Sequence, residues 1–127
     1  MATVEKFEDL EAWKYARELT KRIYGISREG AFGRDFGMRD QIQRAAVSVM
    51  ANIAEGFESR TTGLFLEFLG RAKGSAGEVR AHLYTALDSD YLGEAEFRDL
   101  LSMVLETSRC ISGLMTYLKS HRAQRNA

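Results

Sequence analysis

FLEFLGRAKGSAGEVRAHLYTA, residues 65–86, carries the most regular pattern in the chain. Phe65, Leu69, Ala72, Ala76, Val79, Leu83 and Ala86 recur at alternating steps of four and three, the spacing that gathers side chains on one face of an α-helix. A heptad-like seam of this kind favours near-antiparallel neighbours crossing at roughly 20°. Such a helix needs partners, and the flanking sequence supplies them. Met38, Ile42, Ala45, Val49, Ile53 and Phe57 form a second stripe upstream. Phe7, Leu10, Trp13, Ala16, Leu19, Ile23 and Ile26 form another before it, and Phe97, Leu100, Leu101, Val104, Ile111, Leu114, Met115 and Leu118 form the last.

Turn signals fall between the stripes. SREGAFGRDFG (residues 27–37) breaks the first pattern with three glycines, which permit positive φ. Ser59-Arg60-Thr61-Thr62-Gly63 separates the second stripe from the third, with Thr61 or Thr62 as candidate N-cap, and Gly56 is placed where the second helix can end. Asp88-Ser89-Asp90-Tyr91-Leu92-Gly93 separates the third from the fourth. Proline is absent and no run alternates polar with apolar residues as a strand would. The expected fold is all-α, an antiparallel up-down-up-down four-helix bundle. It forms a single domain over residues 1–127, with short N-terminal and basic C-terminal tails. The third helix holds Gly70, Gly74 and Gly77 within eight residues. Each costs about 1 kcal/mol relative to alanine. Close approach of another backbone, within the bundle or across a subunit interface, would offset that.

A chain of 127 residues buries roughly two thirds of its unfolded surface and needs no staple. Cys110 is the single cysteine, so no intrachain disulfide forms, which suits a reducing cytoplasm. MATVEKFEDL lacks the layout of a signal peptide, and no apolar run approaches the ~18–20 residues that span a bilayer. The expectation is a cytoplasmic protein without membrane contact. Lys plus Arg and Asp plus Glu both number 18, so no global field attracts a phosphate backbone. The distribution is uneven: residues 14–44 carry eight basic side chains against four acidic, whereas 88–106 carry six acidic and only Arg98. Solvated helix faces account for this, as would charged ends that meet in an oligomer or a basic end that touches nucleic acid.

Catalysis needs convergent groups, and few are present. His82 and His121 are far apart in sequence, Cys110 sits beside Ile111 on an apolar helix, and GRAKGSAGE lacks the order of a phosphate loop. No catalytic residue, metal ligand, cofactor or small-molecule substrate is expected. A polar stripe is more informative. Advancing 100° per residue places Arg44, Ser48, Asn52 and Glu55 within about 80° of one another, and Glu67, Arg71, Gly74 and Glu78 within about 60°. With the turn centred near residue 61, Arg44 faces Glu78, Ser48 faces Gly74, and Glu55 comes level with Glu67 and close to Arg71. The expectation is a polar seam that sets helix register, or else a charged groove for a ligand.

Three segments carry a family resemblance. FEDLEAWKYARELTKRIY contains Phe7, Leu10 and Trp13. RDQIQRAAVSVMANIAEGFESR contains Gln41, Arg44, Ala45, Ala46 and Ser48, then Asn52 to Gly56. FLEFLGRAKGSAGEVRAHL contains Gly74, Ser75, Ala76 and Glu78. Together they resemble the 23S rRNA intervening-sequence family of bacterial four-helix bundle proteins. The resemblance implies assembly of the chain with itself into a ring-like homopentamer. A related branch, the accessory proteins of diversity-generating retroelements, implies a reverse transcriptase and RNA or DNA as further partners. Arg17, Lys21, Arg22, Arg28, Arg34 and Arg39 are the candidate nucleic-acid contacts. Many relatives carry phenylalanine-proline where this chain has Phe32-Gly33. Two functions are therefore expected: a non-enzymatic self-associating scaffold, or a nucleic-acid-binding accessory protein.

Overall fold

The computed structural model describes residues 4–126, with side chains through His121. The described chain is all-helical. A 3-10 turn at Phe7–Asp9 precedes α1 (Glu11–Ser27), α2 (Gly30–Arg34), α3 (Phe36–Glu58), α4 (Thr62–Asp88) and α5 (Glu94–Asn126). Among the long helices, α3 packs against α1 and α4, and α5 packs against α1 and α4. Across α3 and α4, Ser48 meets Ser75 and Gly56 meets Phe65 and Phe68, so partner numbers fall on one helix as they rise on the other.

The four stripes become the core. Leu19 and Ile23 of α1, Ile42, Val49 and Ile53 of α3, Leu69, Val79 and Leu83 of α4, and Leu100, Val104 and Ile111 of α5 are all fully buried. Each such side chain contributes about 1.5–3 kcal/mol over leaving it in water. Capping fixes the register of the helix starts. Asp35 Oδ1 accepts from the Met38 N–H at 3.1 Å to open α3, and Thr61 Oγ1 accepts from the Leu64 N–H at 3.1 Å to open α4. After α4 the chain reverses through Asp90 at φ 60°, a left-handed position that aspartate tolerates.

Three local expectations need correction. The first stripe is not one helix from Phe7: Leu10 is extended (ψ 129°), and α1 begins after it. The glycine-rich connection at 27–37 holds a fifth helix, α2. Only Gly30 uses positive φ there, at 54°; at Gly33 an added Cβ would lie 2.5 Å from the Arg28 carbonyl oxygen. Gly56 does not end its helix, which continues to Glu58. It is buried, and an added Cβ would lie 2.9 Å from both Phe65 Cδ1 and Phe68 Cβ. Close approach is why glycine stands there.

The short α2 sends one side chain inward. Phe32 is buried and stacks on Tyr91 at 5.2 Å between centroids. The Tyr91 hydroxyl then donates to Asp35 Oδ2 at 2.6 Å. The α2 segment, the start of α3 and the α4–α5 turn are thereby locked together. The C-terminal basic segment continues α5 as far as Asn126, while its side chains beyond His121 lie outside the described residues, as do residues 1–3. Among the described residues, no helix is long and apolar enough to cross a membrane.

Candidate functional site

Two surfaces hold the polar residues singled out from the sequence. The first lies between α3 and α4. Ser48 Oγ and Ser75 Oγ are 2.9 Å apart, and Asn52 Nδ2 donates to the Ser48 carbonyl at 2.8 Å and to its hydroxyl at 3.0 Å. Ser48 therefore meets Ser75, one residue from the expected Gly74. These groups are half-buried and mutually satisfied, which is how a polar contact inside a helix interface avoids a desolvation cost.

The remaining members of the stripe stand apart from it. Glu67 and Arg71 pair along α4 at 2.9 Å with both side chains more than half exposed, a pair worth a few tenths of a kcal/mol. Arg44 and Glu78 form no ion pair with each other among the described residues. Glu78 Oε2 lies 3.8 Å from His82 Nε2 instead, and Arg44 turns to the α1 side, where it lines a groove with Tyr24 and Gln43. Glu55 is exposed on α3. His82 Nε2 is buried without a hydrogen-bond partner among the described residues.

Polar contacts that the sequence did not signal tie α1 to α3. Thr20 Oγ1 lies 2.8 Å from the Ala16 carbonyl and 3.1 Å from the Ala46 carbonyl, its one proton shared between them. Ser27 Oγ donates to the Ile23 carbonyl at 2.6 Å and accepts from Gln43 Nε2 at 2.9 Å. Ser and Thr in a helix commonly bond back to the i−4 carbonyl, so nothing in their spacing announces a second partner.

The second surface is the exposed side of α1. Lys14, Arg17, Lys21, Tyr24 and Arg28 follow steps of three and four, which keeps them within about 80° on the helix. Arg17, Lys21 and Arg28 make no ion pair among the described residues, although the Arg17 guanidinium lies 5.7 Å from the Trp13 ring centroid. The other three candidate cations fall elsewhere. Arg22 projects toward α5, its Nη1 3.8 Å from Met103 Sδ. Arg34 is exposed on α2. Arg39 is held at the α2–α3 joint: Nη1 donates to the Gly33 carbonyl at 3.1 Å, Nε lies 3.6 Å from Asp40, and the guanidinium stacks over Phe36 at 4.7 Å. Lys14 and Tyr24 continue the α1 row, with the step pattern on α1 as the available signal, and Arg44 flanks it from α3.

Residues 8–113 match the 23S rRNA-intervening sequence protein family. The chain belongs to this family. Among solved structures it is similar to a protein of unknown function from the S23 ribosomal protein family of Bacteroides thetaiotaomicron. The two share 20% identity at a TM-score of 0.75, over 82% of this chain and 97% of that one. At that identity the likeness carries the fold and nothing further. No curated protein matches the chain. The family motif now has a physical reading in this member: Ser48, Asn52 and Ser75 form the inter-helix polar contact, and Gly56 admits the Phe65 and Phe68 side of α4.

Burial pushes the Cys110 thiol up, with the Glu106 and Glu11 carboxylates adding to it, so the thiolate that a nucleophile needs is disfavoured at neutral pH. Among the described residues, no three His, Cys, Asp or Glu side chains are grouped to hold a metal. The Tyr91–Asp35 contact is a hydrogen-bonded titrating pair that spans elements. The Tyr91 hydrogen bond, followed by the Met38 N–H, holds Asp35 below its ordinary 3.8. The same bond raises Tyr91 above its ordinary 10.0. A depressed carboxyl stabilises the fold above its unfolded value and loses that contribution as pH falls through its folded value. A raised phenol contributes below its unfolded value and loses the contribution as pH rises. Tyr91→Phe should therefore lower Tm most between those limits. The gap from wild type should close as pH drops below 3.8, as read by thermal melts over a pH series. A constant gap across that range would show that the bond does not couple to titration.

Proposed function

We propose that this protein is an up-down-up-down antiparallel four-helix bundle that associates with copies of itself and serves as a non-enzymatic scaffold or interaction module in the cytoplasm. The bundle is supported by the closed cycle of packing through α1, α3, α4 and α5 and by the opposed numbering across α3 and α4. Self-association rests on one observation. Gly70, Gly74 and Gly77 lie at steps of four and three on α4, and an added Cβ at each would meet nothing within 4 Å. Their helix-propensity cost, about 1 kcal/mol each, is therefore not offset inside the protomer. A second copy laid against this flat face would offset it through close backbone approach. Five copies are the stoichiometry that the family resemblance suggests.

Size-exclusion chromatography with light scattering should give a mass several times the 14.3 kDa protomer. Gly74→Arg, which has free space in the protomer, should return that mass to one chain with unchanged helicity. A wild-type monomer at micromolar concentration would end the proposal; a fully assembled Gly74→Arg variant would move the interface off this face.

A nucleic-acid-binding accessory role, to RNA or beside a reverse transcriptase, is the second reading. The basic step pattern on α1 favours it. The even charge balance, 18 against 18, keeps the counterion-release contribution small and demands another source of affinity.

A further inference from the structure

We infer that the groove between α1 and α3 binds single-stranded nucleic acid, with Tyr24 as the platform on which one unpaired base stacks; this rests on the second reading above. The groove has three features that belong together. Along its α1 rim run Arg17, Lys21 and Arg28, none with an ion pair among the described residues. Lys14 extends the row and pairs with Glu11 at 3.5 Å, both side chains more than half exposed, a contact that a phosphate readily replaces. From Lys14 to Arg28 the row covers about 21 Å at the helical rise, and no acidic residue interrupts its steps.

The second feature is the aromatic ring set within that row. Tyr24 is 38% exposed and borders a recess of about 260 Å³ between the helices. Among the described residues its ring packs on no other aromatic ring, in contrast to Phe7, Phe32, Phe57 and Tyr84, which all do. The third is the recess itself. Gln43, whose Nε2 is fixed by Ser27 Oγ at 2.9 Å, has an amide oxygen with no hydrogen bond among the described residues. Arg44 adds donors, Asp40 adds acceptors, and Val47, 41% exposed, offers an apolar edge beside the ring. Hydrogen-bonding groups around an exposed aromatic face suit a nucleobase whose edge and face are both free.

Charge magnitudes decide for a single strand over a duplex. A duplex binder draws its affinity from many phosphate contacts, and a neutral chain with a short cationic row supplies few. Stacking does not depend on net charge and is available only to a base outside a duplex. The row then orients the backbone while the ring supplies the affinity.

The test is fluorescence anisotropy with labelled oligouridine, oligothymidine and a short duplex, titrated between about 50 and 200 mM salt. Wild type should bind the single strands more tightly than the duplex. Tyr24→Ala should weaken single-strand binding about five- to hundredfold, the loss of one stacked base, without changing the salt slope. Tyr24→Phe should retain it. Arg17→Ser and Lys21→Ser should each lower the slope by about 0.7. Tighter binding of oligouridine than of oligothymidine assigns the groove to RNA; equal binding assigns it to single strands of either sugar. Undiminished binding by Tyr24→Ala, or a duplex bound as tightly as a single strand, overturns the platform while leaving nucleic-acid binding standing. No binding of any probe at about 50 mM salt overturns both.

Discussion

Phe32→Ala should destabilise the protein by about 3–5 kcal/mol and lower Tm on the order of 10–20 °C. Few single truncations reach that size, and the cause lies in how little else α2 contributes. Its five residues bury one side chain, Phe32, at 1% exposure, with the Tyr91 ring 5.2 Å away. Removing the ring leaves a cavity that α2 cannot collapse to fill, because the Gly33 N–H is bound to the Glu29 carbonyl at 2.9 Å and Asp35 is bound to both Met38 and Tyr91. Phe36→Ala is the matched control. That residue is 63% exposed, and losing its ring, with the Arg39 guanidinium stacked on it, should stay within about 1 kcal/mol. Thermal melts of the two variants decide the matter: equal, small shifts would mean that α2 docks without contributing to the core.

Gly56→Leu should cost at least about 1–3 kcal/mol through overpacking, and even Gly56→Ala should be destabilising despite its better helix propensity. The added Cβ meets Phe65 Cδ1, which can rotate away, but also Phe68 Cβ at 2.9 Å and the Phe65 carbonyl at 3.3 Å. The latter two move only with the backbone of α4. Gly25→Ala gives the opposite sign. It lies in α1 with nothing within 4 Å of the new carbon, so it should gain up to about 1 kcal/mol. Denaturant midpoints for the alanine pair read the contrast directly; two stabilising substitutions would mean that α3 and α4 separate easily at Gly56.

The contrast between these glycines also marks how far the sequence could be read. The stripe from Leu69 to Ala86 predicts burial residue by residue, and all six of its members after Phe65 are buried. Apolar periodicity works because one physical effect, removal from water, governs every position. The polar stripe was less legible for the same reason. Arg44 shares a face of α3 with Ser48 and Asn52, and Glu67 and Glu78 share the facing stripe of α4, yet long charged side chains reach outward to water or along their own helix, whereas short ones stay where the backbone puts them. Ser48 therefore falls within one residue of its expected partner, whereas Asn52 bonds back to Ser48 on its own helix and the expected Arg44–Glu78 pair does not form among the described residues. Gly56 and α2 were illegible because close approach and a five-residue helix leave no periodic trace. Membership in the intervening-sequence protein family was carried by the motifs themselves, across residues 8–113.

The Tyr91–Asp35 bond joins residues 56 apart in the chain, and that separation has a kinetic meaning. Closing a loop of such length costs entropy before any contact repays it, so the bond is expected to form after the local helices and after the main apolar contacts. An interaction made on the native side of the folding barrier acts on the exit rate and hardly on the entry rate. Tyr91→Phe should therefore leave refolding speed almost untouched while accelerating unfolding, which makes this one hydroxyl a brake on how often the molecule opens.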